Sequence, residues 1–273
     1  MTRWENWIGF AVLACASATA HGGAYLRSEG ELLHDVRVDF AQADQEWDAQ
    51  GGARDTGCAH QHRSLTSSLD YGFSYYLSGF AKAGVASTEC GTESEDGPAD
   101  VTFGVRGRLD MFANNRSWEL EAYVPARALG GARELGCDSY GATLRAEARD
   151  EVSPMKFVGY GVGYRWWDGP LAPQALALLS YAAPIDRGAR HPRWDWSTAL
   201  HGTWAVGDGD TLHQGPGILL DCGGQARIAR ATLDVRYKVG LDSRIGCGLS
   251  VPVWGRDTRI TQGLSCVYSV LWE

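Results

Sequence analysis

From Ala229 to Gly240 the chain changes character at every second residue. Ala229, Ala231, Leu233, Val235, Tyr237 and Val239 form an apolar series, and Arg230, Thr232, Asp234, Arg236 and Lys238 form a polar one. A period of two places the two series on opposite faces of a β-strand. The same alternation recurs along the chain. Val36, Val38 and Phe40 oppose Asp35, Arg37 and Asp39. Val101, Phe103, Val105 and Leu109 oppose Thr102, Gly104, Arg106 and Arg108. Trp118, Leu120 and Ala122 oppose Glu119, Glu121 and Tyr123, and Leu144, Ala146 and Ala148 oppose Arg145, Glu147 and Arg149. Val158, Tyr160, Val162 and Tyr164 oppose three glycines and Arg165, and Trp194, Trp196, Leu200 and Trp204 oppose Asp195, Ser197 and His201. Segments 64–71, 78–87, 244–251 and 260–272 read as further strands. Segment 174–182 is apolar on both faces, so its register stays open. Twelve strands are predicted in all. The pair 101–111 and 117–124 reads as a hairpin that sets arginines beside glutamates across the strands.

Two architectures accommodate two-faced strands. A soluble sandwich wets the charged face. A membrane barrel turns the apolar face to lipid and the charged face to a lumen. Connections near 72–76, 112–116 and 240–243 are short, and polar stretches near 45–61, 90–100, 125–140 and 207–225 are long. Those near Asp168 and Asp257 are shorter than the other long ones. Short turns on one rim and long loops on the other suit an outer-membrane barrel. Tryptophan and tyrosine concentrate at strand ends, as in interfacial girdles. The fold expected is therefore all-β, an antiparallel up-and-down transmembrane β-barrel of about 12 strands, in contact with outer-membrane lipid.

Composition fits this expectation. The 273 residues contain 35 glycines, 11 tryptophans and 11 tyrosines against 3 methionines, a bias toward β-structure. A net charge of −8 gives no footprint for nucleic acid. Residues 1–20 read as a signal peptide: Arg3 is followed by an apolar run and by Ala18-Thr19-Ala20 as a cleavage site. The mature domain then spans 21–273. A competing lipobox reading of residues 12–15 would lipidate Cys15. Six cysteines follow, an even count that suggests disulfides in an exported protein. Cys58 and Cys90 are candidates, and so are Cys247 and Cys266. Folding 244–272 about the midpoint of Arg256 and Asp257 opposes residues whose numbers sum to 513. Cys247 then faces Cys266, Leu249 faces Leu264, Ile245 faces Tyr268 and Val253 faces Ile260. Pro252 removes one ladder donor from this hairpin.

The charged series supplies the candidate lumen: Arg37, Arg106, Arg108, Glu119, Glu121, Arg145, Glu147, Arg165, Asp195, Arg230, Asp234, Arg236 and Lys238. Such residues either line a path or pack a narrow interior, and twelve strands leave both open. Cys58, His60 and His62 share one side of an extended segment. They are metal-ligand types, but spacing identifies no fourth ligand, so no metal is assigned. Ser197 and His201 lie about 13 Å apart along one strand face, beyond proton-transfer reach. No G-x-S-x-G elbow is present, and no helix follows the glycines of 159–163. No catalytic residue and no cofactor are expected.

The segments GGAYLRSEGEL, SLDYGFSYYLSGFAKAG, ADVTFGVRGRLDMFANNRSWELEAYVPA and KFVGYGVGYRWWDGP resemble the outer-membrane β-barrel family named for phenol meta-pathway degradation clusters. They are also similar to outer-membrane proteins of exopolysaccharide gene clusters. The resemblance implies a Gram-negative envelope and a channel or export role for a small solute or a polysaccharide. A structural or adhesive envelope protein is the alternative, and a barrel hydrolase is a third reading.

Overall fold

The computed structural model describes residues 26–110, 115–132, 135–137, 139–169, 171–186, 192–207 and 227–273. The expected signal peptide, Cys15, Cys222 and most of the 207–225 connection lie outside these residues. The strands are β1 (Leu32–Trp47), β2 (Ala53–Ser74), β3 (Leu77–Cys90), β4 (Glu93–Pro98), β5 (Val101–Arg108), β6 (Arg116–Val124) and β7 (Gly141–Ser153). They continue as β8 (Lys156–Trp167), β9 (Gln174–Pro184), β10 (Trp194–Ala205), β11 (Arg227–Lys238), β12 (Ser243–Arg256), β13 (Thr258–Arg259) and β14 (Gln262–Trp272). All pairings are antiparallel. β1 joins β2 on one side and β14 on the other, which closes the sheet.

Two of the fourteen strands are parts of broken staves. β4 continues the line of β5 on β3, and β13 continues that of β14 on β1. The barrel therefore has twelve staves, and each contains one of the twelve predicted segments. Closure removes the exposed edges that an open sheet would offer.

The faces are sorted as in a membrane barrel. Leu65, Val162, Leu179, Leu233 and Leu249 stand outward and exposed, while Asp39, Glu119, Glu121, Arg165, Arg230 and Asp234 are buried. Exposed apolar side chains on every stave make a continuous belt far larger than water tolerates on a monomer. Lipid is the solvent that satisfies it. Aromatic residues gather at both rims. Tyr71, Phe73, Tyr75 and Tyr76 flank the β2–β3 turn, Trp194 stacks near Tyr237 at 4.6 Å, and Tyr164 meets Trp166 at the other rim.

Three expectations about connections are corrected. The stretch 45–61 is not a loop: β1 and β2 extend through it as a paired ribbon closed by a tight turn at Asp48–Gly52. The stretch 90–100 is likewise mostly strand, β4 laid on β3 from Val85↔Pro98 to Cys90↔Glu93. The last hairpin keeps its predicted register from Ile245↔Tyr268 through Cys247↔Cys266 to Ser250↔Gly263. The ladder ends there, without the expected Val253–Ile260 pair. β13 has turned away to β1, and the β11–β12 register slips between Arg230↔Pro252 and Ala229↔Trp254. Pro252 lacks the N–H needed to continue a regular ladder.

β2 has 22 residues. A tilted strand crosses the bilayer in about 9–11 residues, so roughly half of β2 stands clear of it. The outward face marks the exit, because Leu69 and Leu65 give way to Arg63 and Gln61. The rim carrying this projection is the hairpin rim. The opposite one, with two-residue turns at Tyr75–Tyr76 and Pro154–Met155, is the turn rim.

Candidate functional site

The barrel encloses a cavity of about 1400 Å³. Its lining runs from Asp100, Leu135 and Cys137 at the hairpin rim to Arg193, Leu241 and Arg244 at the turn rim. Of the thirteen candidate lumen residues, Arg37, Arg106, Glu119, Glu121, Arg145, Glu147, Arg165, Asp195, Arg230, Arg236 and Lys238 line it. Arg108 and Asp234 do not. The Arg108 guanidinium instead lies 3.4 Å from the centre of the Tyr75 ring, at the end of the turn rim. Asp234 is fully buried in the inner wall, against Gly248, where a side chain on that glycine would collide with its carboxylate.

The lumen wall divides into three arcs. On β2 to β7, charges alternate in one connected ladder. Asp70 meets Arg27 at 3.5 Å and Arg106 at 3.1 Å, and Arg106 meets Glu119 at 2.6 Å. Arg145 bridges Glu119 and Glu121 at 3.4 and 3.2 Å, and Lys82 reaches Glu121 at 3.4 Å. Tyr123 donates its hydroxyl to Glu121 and lies 2.9 Å from Thr143. Arg165 donates to Thr143 and to Gln174 at 3.1 Å each. Each carboxylate therefore has more than one donor, the condition under which half-buried charges are tolerated in a wall.

The second arc, on β8 and β9, is nearly free of charge. Gly161, Gly163, Leu176, Leu178 and Ala182 line the cavity there, with Phe157 beneath Arg149 at 4.2 Å. The ladder Arg165↔Gln174 and Gly163↔Leu176 fixes the register that the sequence left open. The third arc, toward the turn rim, is basic: Arg193, Arg236, Lys238 and Arg244 line the cavity. Asp195 is paired to Arg236 at 2.5 Å. His201 lies on the same inner wall.

The described residues of the 125–140 connection lie at the hairpin rim, where Leu135 and Cys137 line the cavity. They include a short 3-10 helix, Ala126–Leu129, ended by Gly130 in the left-handed region. Asp100 holds it from the break between β4 and β5: its two carboxylate oxygens accept from the Ala126 and Cys137 amides at 2.7 and 2.9 Å. Gly136 is required at this contact, since any Cβ there would meet the Asp100 carboxylate. Leu135 packs on Ala86 and Ala126. Sequence reasoning missed Asp100, Arg27 and Lys82 as wall residues. None sits in a long alternating run with a clear polar series.

Cys58 and Cys90 form a disulfide on the projecting part of the barrel. Cys137 is also disulfide-bonded. Cys247 and Cys266 are thiols with their sulfurs 3.3 Å apart. His60 lies beside the first disulfide, its Nε2 3.5 Å from Cys58 Sγ and 3.6 Å from Cys90 Sγ. Burial and the nearby Arg259 push the His60 imidazole below its ordinary pKa, and Glu46 opposes them.

No family model matches the chain, and no curated protein sequence matches it. Solved structures do. The COG4313 outer membrane channel from Pseudomonas putida F1 superposes with a TM-score of 0.71 at 14% identity, over 93% of this chain and 100% of that one. The translocator domain of the autotransporter NalP from Neisseria meningitidis gives 0.54 at 10% identity, over 98% and 94%. The NanC porin gives 0.52 at 8% identity, over 87% and 98%. At these identities the likeness concerns the fold, and the chain has the closed antiparallel β-barrel fold of outer-membrane channels.

Proposed function

We propose that the chain is an outer-membrane channel for a small solute, inserted with its hairpin rim outside the cell. The observation that carries this reading is the continuous cavity, among the described residues, that is lined by residues of both rims. Its volume exceeds the roughly 300–1,000 Å³ of ordinary small-molecule pockets. The similarity to the Pseudomonas putida channel, and the sequence resemblance to the phenol meta-pathway family, support it. The mixed wall suits a solute with both an apolar and a polar part, because the leucines of β9 face ion-paired strands across the lumen. A polysaccharide would have to pass the tethered 125–140 segment and the charge ladder in single file, which favours the small solute over the polymer.

The reading as an enzyme has less support. Ser197 and His201 lie four residues apart on β10, at strand spacing, beyond direct proton-transfer reach.

The test is purified, refolded protein in a planar lipid bilayer. Discrete conductance steps are expected, and Glu121→Ala should alter their size by releasing Lys82 and Arg145 from the wall. Folded protein that inserts and never conducts, in a bilayer or in a swelling assay with small solutes, would overturn the channel reading in favour of a structural or adhesive role.

A further inference from the structure

We propose that Cys58, His60 and Cys90 form a redox-gated binding site for a borderline or soft divalent cation such as zinc or cadmium. The disulfide is the closed form of the site, and its reduction opens it.

Sequence alone put Cys58, His60 and His62 on one side of a strand, and the fold exchanges His62 for Cys90 from the neighbouring strand. Cys58 and His60 share the inner face of β2, and Cys90 stands directly opposite His60 across the β2–β3 ladder. All three are half-buried, and their ligand atoms lie within 4.8 Å of one another. They sit on the projecting ribbon, just beyond His62, where the cavity lining begins on this strand. This is outside the lipid belt, since outward-facing Arg63 already marks water.

Geometry carries the rest. A tetrahedral zinc with Zn–S of about 2.3 Å and Zn–N of about 2.0–2.1 Å has S···N edges of about 3.5 Å and an S···S edge of about 3.8 Å. Both S···N edges are already in place, at 3.5 and 3.6 Å. Only the two sulfurs must part, and breaking their bond permits that. His60 and Cys90 are held opposite each other on the β2–β3 ladder, and Cys58 lies in the bulged stretch of β2 between the His60 and Asp55 pairs, so the movement falls on Cys58. His60 presents Nε2 to both sulfurs. The fourth position is left for water.

The chemistry balances. A phosphine takes up the oxygen of one water and becomes its oxide, while the disulfide gains two electrons and two protons and becomes two thiols. A small dithiol does the same by becoming a disulfide. Binding M²⁺ then releases two protons as the thiols become thiolate ligands. Hydrogen peroxide, which takes two electrons from the two thiolates and two protons from water to become two waters, re-forms the disulfide and expels the metal, because a disulfide sulfur is a far weaker ligand than a thiolate.

The experiment uses folded protein in detergent, with Cys247→Ser and Cys266→Ser to remove the other thiol pair and Cys137→Ser and Cys222→Ser so that phosphine frees no thiol besides Cys58 and Cys90. After phosphine treatment, Cd(II) titration should raise one equivalent of thiolate-to-cadmium ultraviolet absorbance per chain, and Zn(II) should compete it away. Untreated protein should show none. Adding Cys58→Ser and Cys90→Ser should abolish the band. His60→Ala keeps the disulfide for folding, and after reduction should bind Cd(II) at least an order of magnitude more weakly. The shift in gel mobility on boiling confirms folding of each variant. The proposal is overturned if the disulfide resists phosphine in the folded barrel, if the band survives loss of both cysteines, or if His60→Ala binds as tightly as its parent.

Discussion

A single residue step along β11 separates two chemical worlds. Leu233 is half exposed on the outer surface near the middle of the strand, and Thr232 lies in the lumen wall between Ala199 and Ser250. Arginine at 233 must enter the lipid core, which costs roughly 2–4 kcal/mol at the bilayer midplane. Arginine at 232 meets small neighbours and an open cavity. Leu233→Arg is therefore expected to lower the fraction of folded barrel, read as the heat-sensitive gel band, well below that of Thr232→Arg; equal losses would contradict the assignment of faces. Cys247 and Cys266 make the same point about register. Their predicted opposition holds, with reduced sulfurs in contact on the outer face. A mild oxidant should join them, and non-reducing peptide mapping should then recover one linked fragment. Full alkylation of both thiols after oxidant treatment would show that the bond does not close. The Cys58–Cys90 bridge was nameable only as a candidate, because the count of cysteines is even in several pairings and only the β2–β3 ladder selects one.

Strands were legible where lipid reads them and illegible where it does not. Every membrane-crossing stave except β9 announced itself by alternation, because one face must be apolar and the other need not be. The upper parts of β1 and β2, and all of β4, keep their ladder hydrogen bonds in water, where neither face is apolar. QEWDAQGGARDTGCAHQH and GTESEDGPAD therefore look like loops and are ribbons. The converse failure is β9, where Leu176 and Leu178 turn inward and erase the polar series that would have fixed its register. Apart from its 3-10 turn, the described part of the 125–140 segment has no regular structure, and its position depends on the two hydrogen bonds that Asp100 accepts from it. Asp100→Ala leaves the Ala126 and Cys137 amides without those acceptors. Larger or noisier conductance than the parent is expected in a bilayer, with the barrel's melting behaviour little changed. An unaltered conductance record would mean that the segment does not limit the lumen.

At the scale of the molecule, the apolar belt, the aromatic rims and the unequal ends demand a membrane. The mature protein should fractionate with the outer membrane and migrate faster in detergent gels before boiling than after. Recovery in the soluble periplasmic fraction after mild lysis would refute this. The charge on the inner wall is organised by arc, with paired strands, a bare apolar strip and a basic turn rim. Along the chain, arginines and carboxylates are simply interspersed in the inward series, with no sign of this grouping. Which arc each charge joins depends on strand order around the ring, a property of the closed object and of no single segment.

The seam between β1 and β14 has a consequence in time. Leu32 pairs with Trp272, and the ladder continues to Gln42 and Gln262. The first strand to leave the ribosome waits for the last. Contacts between opposite ends of a chain are the slowest to form, since the closure entropy is met before any gain. Until residues 262–272 arrive, β1 and β12 each present an unpaired edge able to recruit other chains. The polypeptide must therefore travel the whole route to its membrane unfinished, escorted against aggregation, and it becomes a protein with an inside and an outside only when its final dozen residues are delivered.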